Sequence, residues 1–124
     1  MVFDSSVVLA WLLHEPGSDA ILALIPNAII SSVNAAETQS MLVRRGTEPK
    51  AAWRSILSSV RTVIPFDAGQ AEVAGTLIRE TIPYGLSVGD RACLALGLAT
   101  KSPVYTADRA WAQLQVGADV RLVR

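Results

Sequence analysis

Four carboxylates in this sequence share a kind of position as well as a charge. Asp4 follows the short apolar run Val2-Phe3, Glu37 lies in SSVNAAETQS, Asp90 in GLSVGDRACL and Asp108 in PVYTADRAW. Each falls near the expected start of a helix, and Asp4, Glu37 and Asp108 come after expected strands. Acids at such places have an ordinary structural use. Asp is a favoured N-cap, and negative charge complements the N-terminal end of a helix dipole. Ser87-Val88-Gly89-Asp90 matches a capping box, and Asn34-Ala35-Ala36-Glu37 is a looser version. Asp67 with Gln70 fits the same pattern and is assigned to capping alone. The second use is chemical. Two carboxylates about 5 Å apart repel by roughly 3 kcal/mol at an effective dielectric of about 20. A cap contributes only ~0.5–2 kcal/mol, so four converging acids would need a cation. Hard oxygen donors with no His or Cys beside them favour Mg²⁺ or Mn²⁺ over zinc. Taken singly, each acid fits either use.

The elements that must carry these acids alternate between strand and helix. Val2-Phe3 reads as a first strand, Ser5 to Leu13 as a helix closed by Pro16-Gly17, and Ser18 to Ile25 as a second short helix. After the Pro26-Asn27 turn signal, Ala28 to Ser31 reads as a strand. A helix from Val33 to Arg45 stops at Gly46, and Pro49 opens the next, which runs to about Val60. Thr62 to Ile64 is a third strand, and Asp67 caps a helix to about Thr81. Pro83-Tyr84-Gly85 breaks the chain before an apolar helix, Val88 to Thr100, expected to be buried on most sides. Pro103 to Thr106, Arg109 to Leu114 and Val120 to Leu122 then read as strand, short helix and strand. The pattern predicts a single α/β domain over residues 1–124, with a central, mostly parallel sheet of about four to five short strands flanked by helices. In such folds ligands bind beyond the carboxyl ends of the strands, and the acids fall at that edge.

Composition supports a packed core. Of 124 residues, 51% are hydrophobic and 18% charged, which excludes a disordered chain. The run Val7 to Leu13 is far shorter than the roughly 20 residues needed to cross a bilayer. No basic residue precedes Arg44, so the N-terminus lacks the positive region of a signal peptide. The single Cys93 forms no internal disulfide, and a cytoplasmic protein is the expectation. The formal net charge is zero. Its distribution is uneven: residues 1–43 hold four acids and no Lys or Arg, whereas the remainder holds eleven bases against seven acids. An acidic site with a basic rim would follow from such a division.

The stretches MVFDSSVVLAWL, SSVNAAETQSML, GLSVGDRACLALGLA and PVYTADRAW resemble the PIN-domain ribonucleases, most closely the VapC-type toxins of bacterial toxin–antitoxin pairs. They stand in the family's order, span nearly the whole chain, and keep an acid in each. The resemblance implies that Asp4, Glu37, Asp90 and Asp108 form an acidic quartet around one or two Mg²⁺ or Mn²⁺ ions. It implies that Asp4, Asp90 and Asp108 chiefly ligate metal while Glu37 ligates or orients the attacking water. Ser5 falls where many relatives carry Thr or Ser, as a partner expected for Asp4. Thr106 occupies the hydroxyl position two residues before the last acid, where it would hold a carboxylate or a water. The implied reaction is endonucleolytic cleavage of RNA, leaving a 5′-phosphate and a 3′-hydroxyl. A metal held by carboxylates lowers the pKa of bound water and neutralises phosphate oxygens. The implied partners are an RNA substrate, a separate antitoxin chain whose tail covers the acidic site, and a second copy of the toxin in a homodimer.

An acidic centre repels RNA, so flanking cations are required. Arg91 and Arg109, each next to a quartet acid, are candidates, as are Arg44 and Arg45, although a pair at a helix end also complements its dipole. Other residues read as structural. His14, the only histidine, lacks a nucleophile motif such as Gly-x-Ser-x-Gly. Cys93 sits among Ala92, Leu94 and Leu96, as a buried apolar thiol does. Trp11, Trp53 and Trp111 suit packing, and Trp53 beside Arg54 also suits the border of an RNA or partner surface. Gly85 and Gly89 make no phosphate loop, because no Gly-Lys-Ser/Thr follows. Two other functions stand beside the ribonuclease: a metal-dependent phosphohydrolase or DNA nuclease of related fold, and a non-catalytic binding protein whose acids are only caps.

Overall fold

Strand β1 (Val2–Phe3) is two residues long, yet it lies in the middle of the sheet and both its side chains are fully buried. Such a strand must be apolar at every position, since helices cover both of its faces. The computed structural model describes residues 1–123. Helix α1 (Ser5–Leu12) follows β1, and a 3₁₀ segment (Ser18–Asn27) leads to β2 (Ile29–Ser31). Helices α2 (Ser32–Arg44) and α3 (Pro49–Ser58) precede β3 (Thr62–Ile64). Then come α4 (Ala68–Thr76), α5 (Ile78–Thr81), a 3₁₀ turn (Ile82–Tyr84) and α6 (Val88–Thr100). Strand β4 (Val104–Thr106), a 3₁₀ turn (Arg109–Gln113) and β5 (Val120–Leu122) complete the described chain.

Among the described residues the five strands form one sheet in the order β3-β2-β1-β4-β5, and every pairing is parallel. Val2 stands opposite Ile29 on one side and Val104 on the other. One core lies on the α1 side, around Phe3, Val7, Val8, Ile30 and Ile56. The other lies under α6, around Val2, Cys93, Leu94, Leu96, Val104 and Trp111. Residues Ala92 to Gly97 of α6 are all buried, so this helix is enclosed as its composition suggested.

Strand order turns at β1. From there β2 and β3 extend one way, and β4 and β5 the other. The helices that leave β1 and β4 therefore part, opening a crevice at their carboxyl ends. Because α6 feeds the start of β4 through Lys101–Pro103, its opposite end, at Val88, lies at the carboxyl edge of the sheet.

Several boundaries differ from the sequence reading. The helix expected from Asp67 to Thr81 is divided at Leu77 into α4 and α5. Gly75, a poor helix former, is the local signal for that break. The segments after Gly17 and Asp108 are 3₁₀ rather than α-helical. Asn34 is not the N-cap of α2. Ser31 caps it by accepting from the Val33 N–H at 3.2 Å, which places Asn34 inside the first turn. The expected stop at Gly46 is present, with φ +99°, a left-handed geometry that glycine adopts without strain.

Candidate active site

All four acids singled out from the sequence line one cleft of about 230 Å³, together with Ser5, Ser6, Leu9 and Met41. Asp4 leaves the carboxyl end of β1 and Asp108 follows β4. These adjacent strands flank the point where strand order reverses. Glu37 comes from the second turn of α2, and Asp90 from the first turn of α6.

Asp4 is the most enclosed of them, 4% exposed. Its Oδ2 accepts from Ser6 Oγ at 2.6 Å and from Thr106 Oγ1 at 3.0 Å. Behind these hydroxyls stand two backbone donors of the β4 loop: Ala107 N–H bonds Ser6 Oγ at 2.9 Å, and Asp108 N–H bonds Thr106 Oγ1 at 3.1 Å. Burial pushes the Asp4 carboxyl from 3.8 up to about 6; the Ser6 hydroxyl opposes that rise, the Asp90 charge adds to it, and Thr106 and the Ser6 backbone oppose it. Beneath the acids, Cys93 is fully buried, and burial pushes its thiol well above the ordinary value, reinforced by the charges of Asp4, Asp90 and Glu37. A thiol held neutral in this way is packing rather than a nucleophile.

Glu37 Oε1 accepts from Ser5 Oγ at 3.0 Å and from Asn34 Nδ2 at 2.9 Å. Asp90 Oδ2 accepts from the Ser87 N–H at 2.9 Å and Ser87 Oγ accepts from the Asp90 N–H at 3.2 Å, the reciprocal capping box read from the sequence. Asp108 Oδ1 accepts from the Ala110 N–H at 3.0 Å, capping the short turn after β4. Each carboxylate is thus gripped through one named oxygen. The second oxygens of Glu37, Asp90 and Asp108 take no hydrogen bond among the described residues.

Those oxygens and their chemistry are what bear on a metal. Among the described residues no three His, Cys, Asp or Glu side chains are placed to share one ion, so there is no preformed cage. Mg²⁺ does not require one. It keeps several waters and is characteristically bound through one or two carboxylates. Hard oxygen donors on residues that line one cleft, with no His or Cys among them, fit Mg²⁺ or Mn²⁺ better than zinc.

Not every expected residue stands where the sequence placed it. Ser5 does not serve Asp4: its hydroxyl bonds Glu37 and the Asn34 carbonyl, the latter at 3.2 Å. Ser6, which the sequence reading passed over, is the partner of Asp4. Thr106 does hold the Asp4 carboxylate. Arg91 donates through Nη1 to the Ala74 carbonyl at 3.0 Å, tying α6 to α4, so its guanidinium is committed to helix packing. Arg109, Arg44 and Arg45 are exposed. Arg44 and Arg45 line a pocket with Met41, and Met41 also borders the acidic cleft. His14 is exposed, and Trp111 is buried in the α6 core.

Comparison with known proteins gives one consistent picture. The family model described as "PIN domain" matches residues 1–117. No curated protein sequence matches significantly. Among solved structures, a toxin–antitoxin complex from Klebsiella pneumoniae aligns with TM-score 0.76 at 18% identity, over 99% of this chain and 97% of that one. VapBC2 from Rickettsia felis, bound to a promoter DNA fragment, aligns with TM-score 0.72 at 19% identity, covering 98% of each chain. VapC20 from Mycobacterium tuberculosis, a toxin that cleaves the sarcin–ricin loop, aligns with TM-score 0.72 at 19% identity, over 95% of this chain and 99% of that one.

Proposed function

Since the chain belongs to the PIN-domain family, we propose that it is a metal-dependent endoribonuclease and the toxin of a toxin–antitoxin pair. One observation carries the reading: four carboxylates from four separate elements line one cleft at the turning point of the sheet. Caps alone have no reason to share a cleft, and their mutual repulsion opposes it.

Asp4, Asp90 and Asp108 would hold Mg²⁺ or Mn²⁺, with Glu37 as a further ligand or as the group that orients water. The bound ion would supply acidified water and neutralise the charge on a phosphodiester. The protein's own part is positional. Ser6 and Thr106 hold Asp4 through Oδ2, and Ser5 and Asn34 hold Glu37 through Oε1. The Glu37 carboxylate would ligate the ion or orient the attacking water, while the backbone caps keep Asp90 and Asp108 at the rim. Exposed Arg44, Arg45 and Arg109 would meet the RNA phosphates, the first two from a pocket that shares Met41 with the acidic cleft.

The solved relatives, several of them toxin–antitoxin complexes, support a cognate antitoxin chain as partner. A homodimer is part of the same proposal, supported by the exposed apolar side chains Ile78, Ile82, Tyr84 and Val88. No helix among the described residues is long and apolar enough to cross a membrane, which is compatible with action in the cytoplasm on RNA.

The test is RNA cleavage in Mg²⁺ or Mn²⁺ against chelator, with Asp4→Asn and Asp90→Asn as controls. Asn caps about as well as Asp and ligates these metals poorly. Both variants should lose metal-dependent cleavage and remain folded. Cleavage at the wild-type rate in these variants would show the quartet assignment to be wrong. Intact RNA beside hydrolysed nucleotide would identify a phosphohydrolase instead.

A further inference from the structure

Gly89 is a poor choice on local grounds. It stands at the second position of α6, buried and helical, where glycine costs stability relative to alanine and nothing in the backbone requires it. Its reason lies across the helix interface. A Cβ at Gly89 would overlap the carboxylate of Glu37, so the glutamate from α2 reaches the bare backbone of α6. Asn34, fully buried, joins the same contact. Its Nδ2 donates both to Glu37 Oε1 and to the Gly89 carbonyl, each at 2.9 Å. Both neighbours are acceptors, so the amide can face them only with its nitrogen.

We propose that Gly89 and Asn34 are positioning residues that seat the Glu37 carboxylate against the first turn of α6 and so fix its place relative to Asp90. Asn34 supplies the two bonds that span α2 and α6, and Gly89 supplies the space. Asp90 is the next residue of the same turn, its own carboxylate tied to the Ser87 N–H. The two acids are thereby registered to one rigid segment, although they come from different helices. The consequence for catalysis rests on the metal-nuclease reading; the clamp itself does not.

The contact makes a prediction of sign. Gly75 is a helical glycine in α4 with open space beside it, so Gly75→Ala should raise Tm and leave activity alone. Gly89→Ala should behave differently while Glu37 is present, because the glutamate tip must move and lose its bonds to Ser5 and Asn34. We expect no rise in Tm, a shift of the Asn34 side-chain amide signals in ¹⁵N NMR, and Mn²⁺ affinity lower by about 10-fold or more. We also expect kcat to fall with KM unchanged. In a Glu37→Ala background the obstacle is gone. There Gly89→Ala should raise Tm as Gly75→Ala does and leave the Asn34 amide signals in place.

If Gly89→Ala raises Tm in the wild-type background with amide signals and Mn²⁺ affinity unchanged, the clamp does not exist. If the wild-type protein neither binds Mn²⁺ nor cleaves RNA, the nuclease reading falls, and the Tm reversal and amide shift still decide the positioning role.

Discussion

Asp4→Asn should stabilise the metal-free protein, and the gain should grow with pH. The wild-type carboxyl is raised from 3.8 to about 6 in the folded chain, chiefly by burial. Between those values the folded protein retains a proton that the unfolded chain has released, so stability falls as pH rises. Above both, the ionised Asp4 costs about 3 kcal/mol of stability relative to the protonated form. Asparagine has no such titration. It keeps the shape of the side chain and a carbonyl oxygen able to accept from Ser6 and Thr106. Whatever the constant offset between the two side chains, the gap in stability, variant minus wild type, should widen by about 2.5 kcal/mol from pH 4 to pH 7. In a domain of this length that is about 10 °C in Tm. Denaturant or thermal melts in chelator across that range measure the gap, and a ¹³C titration of Asp4 gives the midpoint directly. Adding Mg²⁺ should raise the wild-type Tm and leave the variant nearly unmoved, because a bound cation offsets the cost that the variant lacks. A gap that stays flat, or narrows as pH rises, would refute the account of a carboxylate whose ionisation is opposed by burial.

Asp90→Asn should leave stability within ~0.5 kcal/mol of wild type, since Asn still accepts the Ser87 N–H. It should also move the Asp4 midpoint below about 6, because the Asp90 charge helps raise it; the same ¹³C titration reads this. Ser6→Ala leaves the Ala107 N–H without its acceptor and Asp4 without its 2.6 Å donor, at a cost of about 1–3 kcal/mol in urea unfolding. Gly97→Ala provides a contrast inside α6. The new methyl would overlap the Val104 side chain beneath it, so unfolding should show a loss of about 1–3 kcal/mol while Mn²⁺ affinity per folded molecule is unchanged.

Much of this architecture is legible in the sequence because punctuation and burial coincide. Pro26-Asn27, Gly46, Pro49 and Pro83-Tyr84-Gly85 divide the chain, and short apolar runs become the buried central strands β1 and β2 and the largely buried β4, while the edge strands β3 and β5 stay partly exposed. The hydroxyl partners are less legible, for a geometric reason. Ser5 and Ser6 open α1, about 100° apart around its axis. Ser5 therefore faces α2 and meets Glu37, while Ser6 faces β4 and meets Asp4, Thr106 and Ala107. Which neighbour lies on which side of α1 depends on strand order, and no local pattern records that order. Arg91 illustrates the same limit. Its adjacency to Asp90 suggested the rim, but a step of one residue turns the side chain toward α4. Asn34 resembled a cap by type and spacing. It is a bridge because Ser31 already supplies the cap.

Cap and ligand were alternatives only while each carboxylate was treated as a single point. A carboxylate has two oxygens, and the site divides them. Asp90 Oδ2 and Asp108 Oδ1 satisfy backbone N–H groups at the start of a helical segment, while Asp4 Oδ2 and Glu37 Oε1 take hydroxyl and amide donors. A helix start fixes the direction of its capping side chain, and with it the direction of the other oxygen. The same N–H groups partly offset the repulsion that gathers as four acids share a cleft. Asp4 is the exception that identifies the purpose. Of the four it alone is almost wholly buried, and that burial drives its carboxyl up to about 6. A fold that needed only caps would have no use for an acid there, since Asn would avoid the cost of ionisation at neutral pH. Retaining the acid is reasonable if a cation recovers that cost, which is the part proposed for Mg²⁺ or Mn²⁺.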